Sequence, residues 1–236
     1  QQELERRRIA LSDLAYLAPS TPEAASRALA AAGSRALSGG TDLLVQLRAG
    51  RIKPDTIVDL KKIPGALGAR DEGGSFVIGA ATSGAVLGEH AGLVRAWPGV
   101  VEGANLIGST QVQGRASLGG NLCNGSPAAD GVPALIAARA TCVIVGPNGR
   151  REVPVESIVT GPGKTSLTQG EFVLEFRLPA RPARASDAYL RLIPRTEMDI
   201  AVAGAGVNLV LDAGGTITDA HVAIGAVAPT ALLVAD

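Results

Sequence analysis

Aromatic side chains are nearly missing from this 236-residue chain, at 3%, with one Trp, two Tyr and three Phe. A binding pocket walled by rings is therefore not expected. Cysteine is equally scarce. Cys123 and Cys142 stand apart, without C-x-x-C or His-rich spacing, which excludes a self-contained four-ligand zinc or iron–sulfur site, and both read as buried thiols. Charge of one sign is lacking too: 22 Lys and Arg balance 22 Asp and Glu, and no basic block extends beyond Arg6-Arg7-Arg8. Neither nucleic acid nor an anionic membrane surface is indicated as a partner. No run approaches the roughly 18 apolar residues that span a bilayer, and Gln1 to Arg8 holds no apolar signal core, so a soluble, cytoplasmic chain is expected. His90 and His221 are isolated, which leaves no cluster resembling a substrate base.

What is abundant is glycine, with 30 residues. Many glycines and few aromatics point to a cofactor cradled by backbone. The length exceeds what one hydrophobic core normally serves, so two or three packed subdomains are expected. The richest stretch runs Ser117-Leu118-Gly119-Gly120-Asn121-Leu122-Cys123-Asn124-Gly125-Ser126-Pro127-Ala128-Ala129-Asp130. So much turn chemistry predicts a shaped loop, in which Gly119 and Gly120 take positive φ or let backbone approach a ligand, their N–H groups aimed at an anion such as a pyrophosphate. Asp130 stands before the apolar helical stretch 131–138, where it can cap that helix or accept hydrogen bonds from ligand hydroxyls.

A second glycine turn lies about 80 residues earlier. The strand Ser34 to Leu37 leads into Ser38-Gly39-Gly40-Thr41-Asp42 and an amphipathic helix from Leu43 to Ala49, closed by Gly50. Strand, turn and helix start direct N–H groups and a positive helix end at a phosphate, the alternative being a plain capped helix after a tight turn.

Other elements follow from local rules. Residues 21–33 carry a Thr cap, Pro at the first helical position, Glu in the first turn and a closing Gly, which predicts a helix. Thr56 to Leu60 reads as a buried strand; 66–80 as a hairpin followed by a helix capped at Thr82 or Ser83; Leu93 to Ile107 as one longer helix. Asn148-Gly149 predicts a hairpin, and Glu171 to Leu178 a strand ending at Pro179. Strands are expected over 188–193, 200–211 and 216–225. Gly161 to Ser166 lacks the earlier glycine of a nucleoside-triphosphate loop, since position 158 is Ile, and Gly204-Ala205-Gly206 lacks the third glycine and helix of a Rossmann fingerprint. Breaks near 63 and over 179–185 divide the chain into 1–63, 64–180 and 186–236.

The two glycine turns, the joining run Ile107-Gly108-Ser109-Thr110-Gln111-Val112-Gln113-Gly114-Arg115-Ala116, and Arg195-Thr196-Glu197-Met198-Asp199-Ile200-Ala201 together closely resemble the FAD-binding subunit of the xanthine dehydrogenase and carbon monoxide dehydrogenase family of molybdenum hydroxylases. The resemblance covers nearly the whole chain. It implies an α+β fold: two FAD-binding subdomains, 1–63 and 64–180, of the vanillyl-alcohol oxidase type, and a carboxy-terminal domain with a three-stranded antiparallel sheet, cut short at Asp236 where relatives continue. It places Ala36, Leu37, Ser38, Gly39, Gly40, Thr41, Asp42 and Leu43, with Ser117, Leu118, Gly119, Gly120 and Asn121, around the FAD pyrophosphate and its neighbours. Ile107 becomes an apolar contact, Asp130 the holder of flavin-side hydroxyls, Val173 a contact to the ring, and Arg191 a cation near it. Arg191 cannot lose its proton, so its part there is charge stabilisation. The implied function is the last electron-transfer step of an oxidoreductase: electrons from [2Fe–2S] clusters pass through FAD to an external acceptor. The molybdenum cofactor and clusters reside in a large and a small partner subunit, in a dimer of heterotrimers that is cytoplasmic or attached peripherally to a membrane. The competing readings are a stand-alone flavin oxidase or dehydrogenase and a non-catalytic FAD-binding module.

Overall fold

A computed structural model describes residues 14–234 except Glu197; the Arg6–Arg8 block and Glu197 of the 195–201 run lie outside the described residues. Three sheets organise these residues. The first is small and parallel, with β1 (Ala15–Leu17), β2 (Ser34–Leu37) and β3 (Thr56–Asp59) in the order β1-β3-β2. Between its strands run α1 (Pro22–Ala30) and α2 (Leu43–Arg48). Thr21 caps α1, accepting a hydrogen bond from the Ala24 N–H at 3.2 Å, with Pro22 in the first turn, as its sequence predicts.

The second sheet is antiparallel, in the order β4 (Ala69–Glu72), β5 (Ser75–Gly79), β10 (Phe172–Leu178), β6 (Thr141–Gly146), β7 (Gly149–Pro154). Its central strands are buried on both faces, which is why their sequences are nearly continuous apolar runs. On one side Ile78, Ile144, Val173 and Phe176 join a core with Leu87, Leu93, Trp97, Val100, Leu118, Leu122 and Leu135. On the other, Val145, Phe172 and Leu174 pack with Ala25, Leu29, Val58 and Leu60 of the first unit. A bulge between Val173 and Glu175 shifts the alternation along β10.

The helical layer comprises α3 (Gly84–Glu89), α4 (Ala91–Ala96), α5 (Pro98–Asn105), α6 (Thr110–Gln113), α7 (Leu118–Asn124) and α8 (Gly131–Ala137). Two expectations are corrected here. The stretch 93–107 is not one helix, because Trp97 precedes Pro98 and takes φ −136°, ψ 61°, which breaks the run. The stretch 117–130 is not all loop: Ser117 caps a two-turn helix, accepting from the Gly120 N–H at 3.1 Å, and only Gly125, at its carboxyl end, has positive φ, at 65°.

The third sheet also differs from expectation. β11 (Ala185–Leu192), β12 (Ala203–Leu211) and β13 (Ile217–Gly225) are joined by β14 (Leu232–Leu233), which makes four antiparallel strands and not three. Two paired residues are too few to leave a periodic signal in a sequence. The inner face packs on α5 and α8 through glycine: a Cβ at Gly206 would lie 2.4 Å from the Pro133 carbonyl oxygen. The outer face carries Leu190, Ala205 and Ile224 side by side, with Ala188, Val207 and Val222 in the next row. Short β8 (Val159–Gly161) and β9 (Lys164–Thr165) form a separate ribbon.

A cleft between the glycine turns

One cleft of about 630 Å³ runs between the first unit and the second sheet, a volume within the usual range for ligand pockets. Its first wall is the turn after β2, which places Ala36, Ser38, Gly39, Gly40, Thr41, Asp42 and Leu43 along it. The turn sits beyond the carboxyl end of a parallel strand, where open α/β sheets bind ligands. Gly40 has φ +78°, a conformation that suits glycine. Gly39 is needed for another reason: a Cβ there would lie 1.8 Å from the Arg115 carbonyl oxygen. The turn is held from behind by Lys61, whose Nζ donates to the Ser38 carbonyl at 2.8 Å and pairs with Asp59 at 2.7 Å. Asp59 also accepts from the Tyr16 hydroxyl at 2.6 Å, and these donors hold its carboxyl below the usual range against the opposing effect of burial.

The second wall is α7. Leu118 and Leu122, one turn apart, anchor it in the core, so Ser117, Gly119, Gly120, Asn121, Cys123 and Asn124 are left to line the cleft. Gly119 lies against β5, where a Cβ would be 2.5 Å from the Ala80 carbonyl oxygen. Gly120 is different, for a Cβ there would meet only the Ser117 Oγ, at 3.2 Å. The Asn121 side chain accepts from the Gly131 N–H at 3.0 Å and so caps α8. The two walls meet through their serines: the Ser38 and Ser117 hydroxyls are 2.7 Å apart.

Of the third wall only Val173 was expected. Gly163, Thr165, Leu167, Thr168, Gln169, Gly170, Glu171, Phe172 and Val173 line it, with Ile107 opposite Val173's share of the core. Gly163 belongs to the segment set aside as a defective phosphate loop; its N–H donates to the Gly125 carbonyl at 2.9 Å, tying the ribbon to the end of α7. The only local signal was a cluster of turn residues without a motif. Arg151 forks onto Glu171 with bonds of 2.7 and 2.9 Å, which lowers the Glu171 carboxyl to about 2.

Four expected residues lie elsewhere. Leu37 and Leu118 do not line the cleft, Leu118 being buried in the core. Asp130 and Arg191 do not line it either. The Asp130 carboxylate accepts from the Tyr189 hydroxyl at 2.9 Å and from Arg191 at 3.0 Å, and Arg191 also donates to the Leu106 carbonyl at 3.1 Å. Both side chains of the pair are at least nine-tenths buried. Asp130 makes no capping bond to α8, because its oxygens are taken by β11. Burial pushes its carboxyl above the usual value, opposed by Tyr189 and Arg191, and burial with the facing Asp130 raises the Tyr189 hydroxyl. Cys142 is buried as expected, whereas Cys123 is exposed within the cleft, since α7 turns that face away from the core.

Residues 10–181 match the family model described as the FAD binding domain in molybdopterin dehydrogenase, and residues 188–236 match the CO dehydrogenase flavoprotein C-terminal domain. The carbon monoxide dehydrogenase medium chain of Hydrogenophaga pseudoflava is 36% identical over 219 residues, covering 92% of this chain and 76% of that protein. The xanthine dehydrogenase FAD-binding subunit of Escherichia coli O157:H7 is 34% identical over 199 residues, covering 84% and 68%. A solved structure of carbon monoxide dehydrogenase from Hydrogenophaga pseudoflava, lacking the Mo-pyranopterin moiety, superposes with a TM-score of 0.87 at 35% identity, over 93% of this chain and 77% of that one.

Proposed function

The chain belongs to the family of FAD-binding subunits of molybdenum hydroxylases, and on that premise we propose that its cleft holds one FAD, non-covalently, as an electron-transfer site in a larger oxidoreductase. The observation that carries this is the junction of the two glycine turns, where the Ser38 and Ser117 hydroxyls bond across 79 positions of sequence and Gly39 seats on the Arg115 carbonyl. That junction fits the cofactor: backbone lies open to the cleft at Gly120, and of the two acids lining the cleft, Asp42 and Glu171, the second is paired with Arg151.

Bound FAD supplies the redox chemistry, taking up electrons singly or in pairs and releasing them to an acceptor. Ser38 to Leu43 bind and orient its phosphate region through backbone N–H groups and hydroxyls, and Ser117, Gly119, Gly120 and Asn121 shape the side of the cleft formed by α7. Ala36, Ile107 and Val173 exclude water from its apolar parts. Asp130 and Arg191 satisfy each other's charge, so their part is to fix β11 against α8 beside the cleft. Leu37 and Leu118 support the two turns from within.

We assign residues 1–63 and 64–180 to two subdomains of the vanillyl-alcohol oxidase type and 186–236 to a third domain; the span of each sheet supports this division. A large molybdenum-cofactor subunit and a small [2Fe–2S] subunit complete the complex, in a dimer of heterotrimers, which delivers electrons to an external acceptor in the cytoplasm or at a membrane face. Among the described residues no helix is long and apolar enough to cross a membrane. Acid precipitation of the purified protein tests the central claim. A yellow supernatant with about one FAD per chain is expected; flavin retained in the pellet, or a colourless protein that takes up no FAD, refutes it.

A further inference from the structure

We propose that Gln169 is a positioning residue for the cleft, setting the separation of its first and third walls and thereby the affinity for the dinucleotide. The inference rests on the FAD reading above. The Gln169 side-chain amide reaches from the third wall to the end of α1, donating to the Leu29 carbonyl at 2.7 Å and the Ala31 carbonyl at 3.0 Å. Those carbonyls belong to the last turn of a helix and its exit, where intrahelical donors run out; the Ala31 carbonyl also accepts from the Ser34 N–H at 3.3 Å. The anchor is therefore pre-set by the fold, and it spans about 140 positions of sequence.

Its location gives it leverage. Leu29, Ser34 and Gln169 line the cleft together at the start of β2, whereas the serine pair closes the junction just past the end of that strand. The two ties stand on either side of the four-residue strand, one before its start and the other just past its end. Between them the first and third walls face each other across open space. The third wall is otherwise braced within its own sheet: Glu171 turns back to Arg151 and to the Thr168 N–H at 2.8 Å. Apolar packing of Phe172 and Leu174 on Ala25, Leu29, Val58 and Leu60 joins the same two units; the Gln169 tie adds a directional fix beside it, which carries to Thr168, Gly170 and Phe172, all of which line the cleft. The Ser34 Oγ beside it is buried without a hydrogen-bond partner among the described residues. This end of the cleft thus carries polar capacity that its own fold does not use.

The test is FAD dissociation from the purified holoprotein, followed by recovery of flavin fluorescence, for wild type, Gln169→Leu and Gln169→Lys. Leucine keeps the bulk and removes both donors; lysine restores a donor of similar reach. Gln169→Leu is expected to raise the FAD Kd about tenfold, the scale of losing one to two neutral hydrogen bonds. Gln169→Lys is expected to recover most of that loss. Melting of the apo forms should separate by less than the melting of the holo forms. Equal Kd values in wild type and Gln169→Leu, or an apo melting drop as large as the holo drop with Kd unchanged, would overturn the proposal and leave Gln169 as a cap of α1. Absence of FAD binding by wild type would instead remove the reading on which the proposal rests.

Discussion

Gly39 and Gly120, one from each of the two segments that the serine pair joins, do different physical work. A methyl group at Gly39 runs into backbone, the Arg115 carbonyl, which cannot swing aside. Gly39→Ala should therefore part the two turns at a cost of about 1–3 kcal/mol, lowering both the apo melting temperature and FAD affinity. Gly120 meets only a rotatable hydroxyl, and its φ is ordinary, so Gly120→Val should change apo stability by no more than about 1 kcal/mol. The isopropyl group would project into the cleft, and FAD binding should weaken about tenfold or more, equivalent to about 1.4 kcal/mol. Calorimetry and flavin titration on the two variants check the contrast; a Gly120→Val protein that binds FAD normally would show that the dinucleotide does not pass over α7. Of the two reasons expected for the Gly119-Gly120 pair, positive φ and close approach to a ligand, the first does not apply, since neither residue has positive φ. Helical glycines are kept here for what approaches them.

Among the elements, the third wall has a pH signature. The Glu171 carboxyl is lowered from 4.5 to about 2, chiefly by its hydrogen bonds to Arg151. A lowered acid contributes stability above its unfolded value, and that contribution fades as pH falls from about 4.5 toward 2. Arg151 is partly exposed, so the pair is worth about 1 kcal/mol at most. Arg151→Met should thus melt lower than wild type at pH 7, and the difference should vanish by about pH 2; a gap that persists in acid would assign the effect to packing. That wall was the least legible part of the site. Strands and caps with local rules could be read directly: the Thr21 cap, the Asn148-Gly149 hairpin, the Pro98 break had it been weighed against Trp97. The 34–43 turn and the 117–124 segment also announced themselves through glycine, the second as a loop although it is a helix. Residues 163–172 carry no motif, because they enter the cleft through pairing with distant chain, Gly163 to Gly125 and Gln169 to α1, and such pairings leave no local period. β14 left no signal because only two of its residues pair.

For the molecule as a whole, the Asp130–Arg191 pair is a buried polar fastening between the start of α8 and the third sheet. Asp130→Asn keeps an acceptor for Tyr189 but strands the buried Arg191 without its counter-charge, a loss of about 3–5 kcal/mol in buried pairs. The variant should melt well below wild type while its FAD Kd moves less than about threefold, or less than about 0.7 kcal/mol; a large affinity loss with unchanged melting would return the carboxylate to the ligand. Sequence alone could place Asp130 beside the glycine helix but could not see that Tyr189 and Arg191, alternate residues on β11, converge on it from 59 and 61 positions away. The cleft itself has one more implication. Its walls come from segments around 34–43, 117–124 and 163–173, so a ligand lying in it binds only when all three are in place and favours the folded state. At a free concentration one hundred times its Kd, such a ligand adds about 2.7 kcal/mol to global stability by mass action. Cells that synthesise the chain faster than they supply the ligand would hold a weaker protein, turned over sooner, and its abundance would follow the cofactor pool as well as its own message.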